Sequence, residues 1–214
     1  MPQNPATARR VHHRWPLITG LGALALGILL GLALALRGNG ALELDAEWME
    51  EVLEHRSALW DVPAFVMNVV GGTLFTTLAT TALVIALAVA KRGWTALYVA
   101  VAMILTNIVV QLLKAVLSRA RPEEILVSIE SGSFPSGHVA NAAALAAVLA
   151  IITWRWWVVV AGAAYVVLMA LSRTYLGAHW VSDTVGGLLI GAGIAVIVWA
   201  PLVERVLSER RQAQ

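Results

Sequence analysis

Cysteine is absent from this 214-residue chain. Disulfides, thiolate metal sites and cysteine nucleophiles are therefore excluded. Charge is sparse as well. Only 13% of residues are charged, and the formal net charge of +2 is spread along the chain, which leaves no footprint for nucleic acid. There is no short internal repeat and no low-complexity tract. What fills the sequence is apolar material, 59% of all residues. A soluble domain of this length does not need so much, and several runs are long enough to cross a bilayer.

Residues 1–16 are polar and basic and are expected to begin without structure. Leu17–Leu36 is a twenty-residue apolar run, the first expected span. With the basic stretch before it and Ala33-Leu34-Ala35 near its end, it can also be read as a cleaved signal peptide. It exceeds a typical signal core, however, and further spans follow, so a retained helix is expected. Residues 37–62 carry seven acids, among which Trp48, Met49, Val52 and Leu53 recur at helical spacing. Either a solvated acidic loop or a short amphipathic helix on the membrane surface fits this pattern. An apolar run from Pro63 to Ala90 is the second expected span, closed by a tight turn at Lys91-Arg92-Gly93, and Thr95–Leu117 is the third. A polar loop over 118–136 precedes Gly137–Thr153 and Arg155–Leu171, and a sixth span runs from about Trp180 to Ala200, ending before Pro201. The expected class is an all-α integral membrane bundle of six helices. Its parts are a tail at 1–16, a membrane domain at 17–201 and a charged tail at 202–214.

Six spans place both ends on one side. The ends and the two turns on that side hold nine of the fifteen lysines and arginines, whereas eleven of the thirteen acids lie opposite. The positive side is expected to be cytoplasmic. All nine tryptophans fall near expected helix ends, where indole rings prefer to sit. Gly27-x-x-x-Gly31 and Gly187-x-x-x-Gly191 would permit close helix contacts.

Three polar stretches then fall on the outer side by helix counting alone. Lys114 and Arg121 are seven residues apart, and would share a face if the helix continued to Pro122. Pro135-Ser136-Gly137-His138 opens the fourth span, where a helix start offers amides and a hydroxyl suited to phosphate oxygens. Ser172 and Arg173 precede His179 and Asp183, which are four apart. That spacing lets a carboxylate hold one imidazole nitrogen while the other acts as nucleophile or base. Taken singly, each stretch also admits a plain reading as a snorkelling cation, a helix cap or an interfacial polar group. Together they form an intramembrane cluster that is expensive unless it is used.

These stretches resemble the type-2 phosphatidic-acid phosphatase superfamily, whose pattern is K-x6-R-P, then P-S-G-H, then S-R-x5-H-x3-D. Eleven fixed positions match in order: Lys114, Arg121, Pro122, Pro135, Ser136, Gly137, His138, Ser172, Arg173, His179 and Asp183. The resemblance implies an outward-facing phosphatase core acting on lipid phosphates or diphosphates, such as polyprenyl diphosphate, phosphatidylglycerophosphate or phosphatidic acid. It further implies that His179 forms a phosphohistidine while Asp183 holds its tautomer. Lys114, Arg121, Ser136, the Gly137 amide and Arg173 would bind phosphoryl oxygens. His138 would protonate the leaving oxygen and activate water, and Pro122, Pro135 and Ser172 would support. No carboxylate cluster is placed to bind a metal, so a metal-independent enzyme without cofactor is expected in the cell membrane. Its partners would be the bilayer and a lipid substrate, with oligomeric state open. Two other readings on the same fold are a vanadate-dependent haloperoxidase and a catalytically silent binding or transport protein.

Overall fold

The computed structural model describes residues 5–128 and 132–212. Among them all regular structure is helical: α1 (Pro5–Leu36), α2 (Glu43–His55), α3 (Ala58–Val70), α4 (Thr73–Val89), α5 (Gly93–Leu117), α6 (Gly137–Thr153), α7 (Trp156–Tyr175) and α8 (Val181–Gln212). The helix α1 already begins at Pro5, so an unstructured start can concern only residues 1–4, which lie outside the described residues. Four helices (α1, α5, α7 and α8) are long and apolar enough to cross a membrane. The pair α3 and α4 passes the same test together but is bent by 51°, and α6 is a shorter apolar helix.

Three expectations about boundaries are corrected. Of the two readings of the acidic segment the helical one holds, as α2, but the second apolar helix starts early, with α3 beginning five residues before Pro63. The second apolar run is broken at Gly71-Gly72, where the chain turns close to its neighbours. A Cβ on Gly71 would stand 2.4 Å from Met169 Cε and 2.8 Å from His138 Cδ2. The last helix passes through Pro201 and continues to Gln212. One lost backbone hydrogen bond is tolerated there because the far end is docked. Glu209 accepts from the amides of Trp94 (2.7 Å) and Thr95 (2.9 Å) and from the Thr95 hydroxyl (2.8 Å). It thereby satisfies the first amides of α5, which have no intrahelical acceptor. Arg205 lies over the Trp94 ring at 3.8 Å.

The axis of the bundle is α8, which packs along α1, α6 and α5, while α3 lies on α7 and α4 on α5. Glycines make those contacts close. A Cβ on Gly191 would fall 2.0 Å from Ala140 O, one on Gly187 2.6 Å from Ser136 O, and one on Gly27 2.8 Å from Ile190 Cγ1. Both small-residue pairs read from the sequence therefore do sit at helix contacts. The core between the helices is built from small and branched side chains such as Val99, Ala102, Ala140, Val148 and Ile190, all fully or almost fully buried. Large apolar side chains such as Leu26, Leu78 and Val116 are exposed on the outside. A bundle that is apolar outside as well as inside suits a lipid solvent.

Candidate active site

The loops at one end of the bundle are fastened by backbone. Helix α5 stops at Leu117 because Ser118 adopts a left-handed conformation (φ 42°) and returns its amide to Lys114 O at 3.0 Å. The expected helical continuation to Pro122 is therefore absent, and Arg121 approaches from a loop, not from the face that Lys114 occupies. Phe134 is fully buried against Gly31 and Gly186, at both of which a Cβ would collide with its ring. Gly177 has φ 66°, and a Cβ there would also meet Glu124 O at 2.4 Å, so the turn requires glycine. Through that turn the amides of Ala178 and His179 return to Arg173 O at 3.0 and 3.2 Å.

This scaffold brings the three motif stretches around one cavity of about 380 Å³. Lys114, Arg121, Gly137, His138, Arg173 and His179 line it, and among the described residues no carboxylate does. Three cations facing one cavity make it a site for an anion. They are aimed by main-chain oxygens: Lys114 Nζ and Arg121 Nη2 both donate to Gly132 O, the latter at 3.0 Å, and Arg121 Nη1 donates to Ala178 O. Arg173 belongs to the last turn of α7, is fully buried, and donates through Nη1 to Asn68 Oδ1. Its Nη2 and the Ser136 hydroxyl are buried with no protein partner among the described residues. Ser136 thus stands at the N-cap position just before α6 without making a side-chain cap bond. Buried donors left open in this way are rare unless a ligand completes them.

His179 is almost fully buried at the end of the Gly177 turn. Its Nδ1 lies 3.6 Å from Asp183 Oδ2, and its Nε2 lies 3.5 Å from Arg121 Nη1. Asp183 sits in the first turn of α8 and accepts a hydrogen bond from the Trp180 amide at 2.9 Å, which closes the helix start. Burial draws the His179 pKa down to about 3, against the opposing pull of Asp183, and the cations Lys114 and Arg173 add to the fall. The ring is therefore neutral at ordinary pH, as a nucleophile requires. Burial also lowers the Arg121 pKa, again opposed by Asp183. His138 Nε2 lies 3.1 Å from Asn68 O. A carbonyl can only accept, so that nitrogen carries the proton and Nδ1 is the basic one.

The remaining motif residues stand behind the cavity. Pro122 and Pro135 are buried, and Ser172 Oγ donates to Ala64 O at 2.9 Å, tying α7 to α3. Reading the sequence missed Asn68, which serves both His138 and Arg173. It also missed Asn107, Gln111 and Asn141, which line the same cavity. Amides inside apolar runs were the available signal. It further missed Arg119 and Asp45, both almost fully buried, because neither belongs to a motif. The group Glu51, Glu54 and His55, whose side chains could converge on a metal, is exposed on α2, and none of the three lines the cavity.

A buried histidine–carboxylate pair beside a cationic cavity, at one end of a bundle of apolar helices, makes a site suited to an anionic group. The family model that matches residues 95–206 is that of the PAP2 superfamily, and the chain belongs to that superfamily. It is 32% identical over 111 residues to phosphatidylglycerophosphatase B of Bacillus subtilis, covering 47% of this chain and 55% of that protein. It is 37% identical over 65 residues to an undecaprenyl-diphosphatase of Sulfolobus acidocaldarius, covering 30% of this chain and 31% of that protein. The chain thus spans about half, or less, of the length of these relatives. In three dimensions it resembles the transmembrane PAP2-type phosphatidylglycerolphosphate phosphatase of Bacillus subtilis. The TM-score is 0.73 at 21% identity, over 84% of this chain and 94% of the other. With its apolar helices, this likeness makes the chain a multi-pass membrane protein.

Proposed function

We propose that this chain is a metal-independent phosphatase of membrane lipid phosphates or diphosphates, working through a phosphohistidine. One observation carries the reading: three cations and a histidine backed by a carboxylate converge on a single cavity. His179 Nε2 attacks phosphorus in line, and Asp183 keeps the proton on Nδ1 and stabilises the imidazolium that forms. Lys114, Arg121, Arg173, the Ser136 hydroxyl and the Gly137 amide bind the phosphoryl oxygens as charge spreads over them. His138, entering the step as the imidazolium with Nε2–H held by Asn68 O, gives its Nδ1 proton to the leaving oxygen. It then takes one from the water that cleaves the phosphorus–nitrogen bond and releases phosphate.

In the same reading α3 and α4 together make one crossing and α6 another, which gives six. The tails at 1–16 and 202–214 then lie in the cytoplasm, and the cavity opens toward the outer face of the 17–201 domain. Helix α6 has 17 residues, roughly 25 Å at 1.5 Å per residue, against a hydrocarbon core of about 30 Å. Its outer end therefore lies at or below headgroup level, where it meets a phosphate whose tail is still in the bilayer. The names of the relatives, a phosphatidylglycerophosphatase and an undecaprenyl-diphosphatase, support lipid carriers of phosphate. The test compares kcat/KM for a long-chain lipid phosphate in mixed micelles with that for glycerol phosphate. The lipid should be far better, and equal values would remove the lipid assignment, since the tail would add nothing to transition-state binding.

A further inference from the structure

The acidic helix α2 lies outside every motif, yet it carries Asp45, which is 1% exposed, into the centre of the outer end. Asp45 Oδ2 is 2.8 Å from Arg119 Nη2. It also accepts from Ser182 Oγ at 2.6 Å and the Leu42 amide at 3.1 Å, while Oδ1 accepts from the Ser182 amide at 2.9 Å. Arg119, also 1% exposed, reaches the other way with Nη1, to Asp183 Oδ1 and to Ser182 Oγ, each at 2.7 Å. Its Nη2 adds a bond to Gly40 O at 3.0 Å. The line therefore runs Asp45, Arg119, Asp183, His179, with charge alternating over its first three members, a neutral ring at its end and every link buried.

Both oxygens of Asp183 are consequently assigned. Arg119 holds Oδ1, so Oδ2 is the one turned toward His179 Nδ1. The carboxylate cannot rotate without breaking a charge-assisted bond. Yet an arginine bound to Asp183 also withdraws the negative charge that His179 needs when it becomes cationic. Asp45 resolves the conflict, because it neutralises Arg119 from the far side. We propose that Asp45 and Arg119 are positioning residues for the nucleophile. Arg119 fixes the Asp183 carboxylate, and Asp45 offsets the charge of Arg119 so that Asp183 remains an effective anion toward His179. The acidic outer helix is then part of the catalytic apparatus and not a membrane-surface ornament. This inference rests on the reading of His179 and Asp183 as the nucleophile pair.

The experiment measures kcat, KM, the Ki of inorganic phosphate and thermal stability on the purified full-length chain, with rates referred to folded protein. Asp45→Asn keeps the shape but strands the charge of Arg119. Its kcat should fall about tenfold or more, with KM and Ki changed less than about twofold, since the cavity cations are untouched. Adding Arg119→Gln to Asp45→Asn removes the stranded charge, and should recover several-fold of the loss instead of compounding it. A purely structural salt bridge predicts otherwise: lower stability with an unchanged kcat per folded molecule. That result, or losses that multiply in the double variant, would overturn the proposal. Should Asp45→Asn not fold, Ser182→Ala, which loses only hydroxyl bonds to Asp45 and Arg119, should still lower kcat several-fold. A wild-type kcat there overturns it equally. A wild-type chain with no turnover of any lipid phosphate removes the functional reading and this inference together. An active wild type with indifferent variants removes the inference alone.

Discussion

Replacing Gly191 by alanine tests how the bundle holds the candidate site. A Cβ at Gly191 lies 2.0 Å from Ala140 O and 2.8 Å from Ala140 C. These are main-chain atoms of α6, so no side-chain rotation relieves the contact. Carbon–oxygen contacts settle at roughly 3.3–3.6 Å, so α6 and α8 must part locally by about 1.3 Å or more. Such overpacking costs about 1–3 kcal/mol, whereas alanine gains about 1 kcal/mol over glycine as a helix former. Gly22→Ala on α1 isolates the second term, because its Cβ would meet nothing within 4 Å. The two variants should therefore differ in unfolding free energy by about 1–3 kcal/mol, with Gly191→Ala the weaker. Activity should suffer more than stability. Ala140 lies two residues beyond His138, and a displacement of about 1 Å in a reacting group can cost about a hundredfold in rate. The assay is detergent-solubilised unfolding beside kcat on a long-chain lipid phosphate. If Gly191→Ala matched Gly22→Ala in stability and the wild type in kcat, the close α6–α8 approach could not be what positions the site.

Three further outcomes are expected. His179→Ala should abolish turnover and Asp183→Asn should lower it by about 10²–10⁴-fold; vanadate should inhibit and a chelator should not, and activity lost in chelator and restored by a divalent cation would refute the metal-free account. For orientation, single cysteines are clean probes in a chain that has none. Ser133 is fully buried and Glu123 exposed, so Glu123→Cys should react with an impermeant thiol reagent in intact cells and Gly93→Cys should not; the reverse pattern would invert the membrane orientation. The last outcome concerns pH. His179 keeps a folded pKa of about 3 against an ordinary 6.5. The unfolded chain therefore takes up this proton below about pH 6.5 and the folded one does not. Stability should fall with pH across that window by up to about 1.4 kcal/mol per unit on this residue's account. His179→Asn should flatten the slope, and an identical slope in both proteins would show that the ring is not held neutral by burial.

The sequence by itself determined the class and the charged and histidine side chains that line the cavity, though not its amides. Apolar runs mark bilayer helices because length and composition suffice for them. The motif residues that line the cavity are chemically unusual in such runs and stand at fixed spacings, so Lys114, Arg121, His138, Arg173 and His179 were legible together. Helix counting also put their three stretches at one end, where they do converge. Tertiary structure decided the rest, for reasons local pattern does not carry. The break at Gly71-Gly72 answers to Met169 and His138, nearly 70 residues or more away in the chain. The end of α5 at Ser118 is a left-handed cap, not the stop that Pro122 suggested. Pro201 lies within a helix because Glu209 docks the far end on α5. Asp45 looked like one of seven solvated acids. Only the packing of α2 against α7 and α8 buries it against Arg119, and burial beside a cationic partner separates it from an ordinary surface acid.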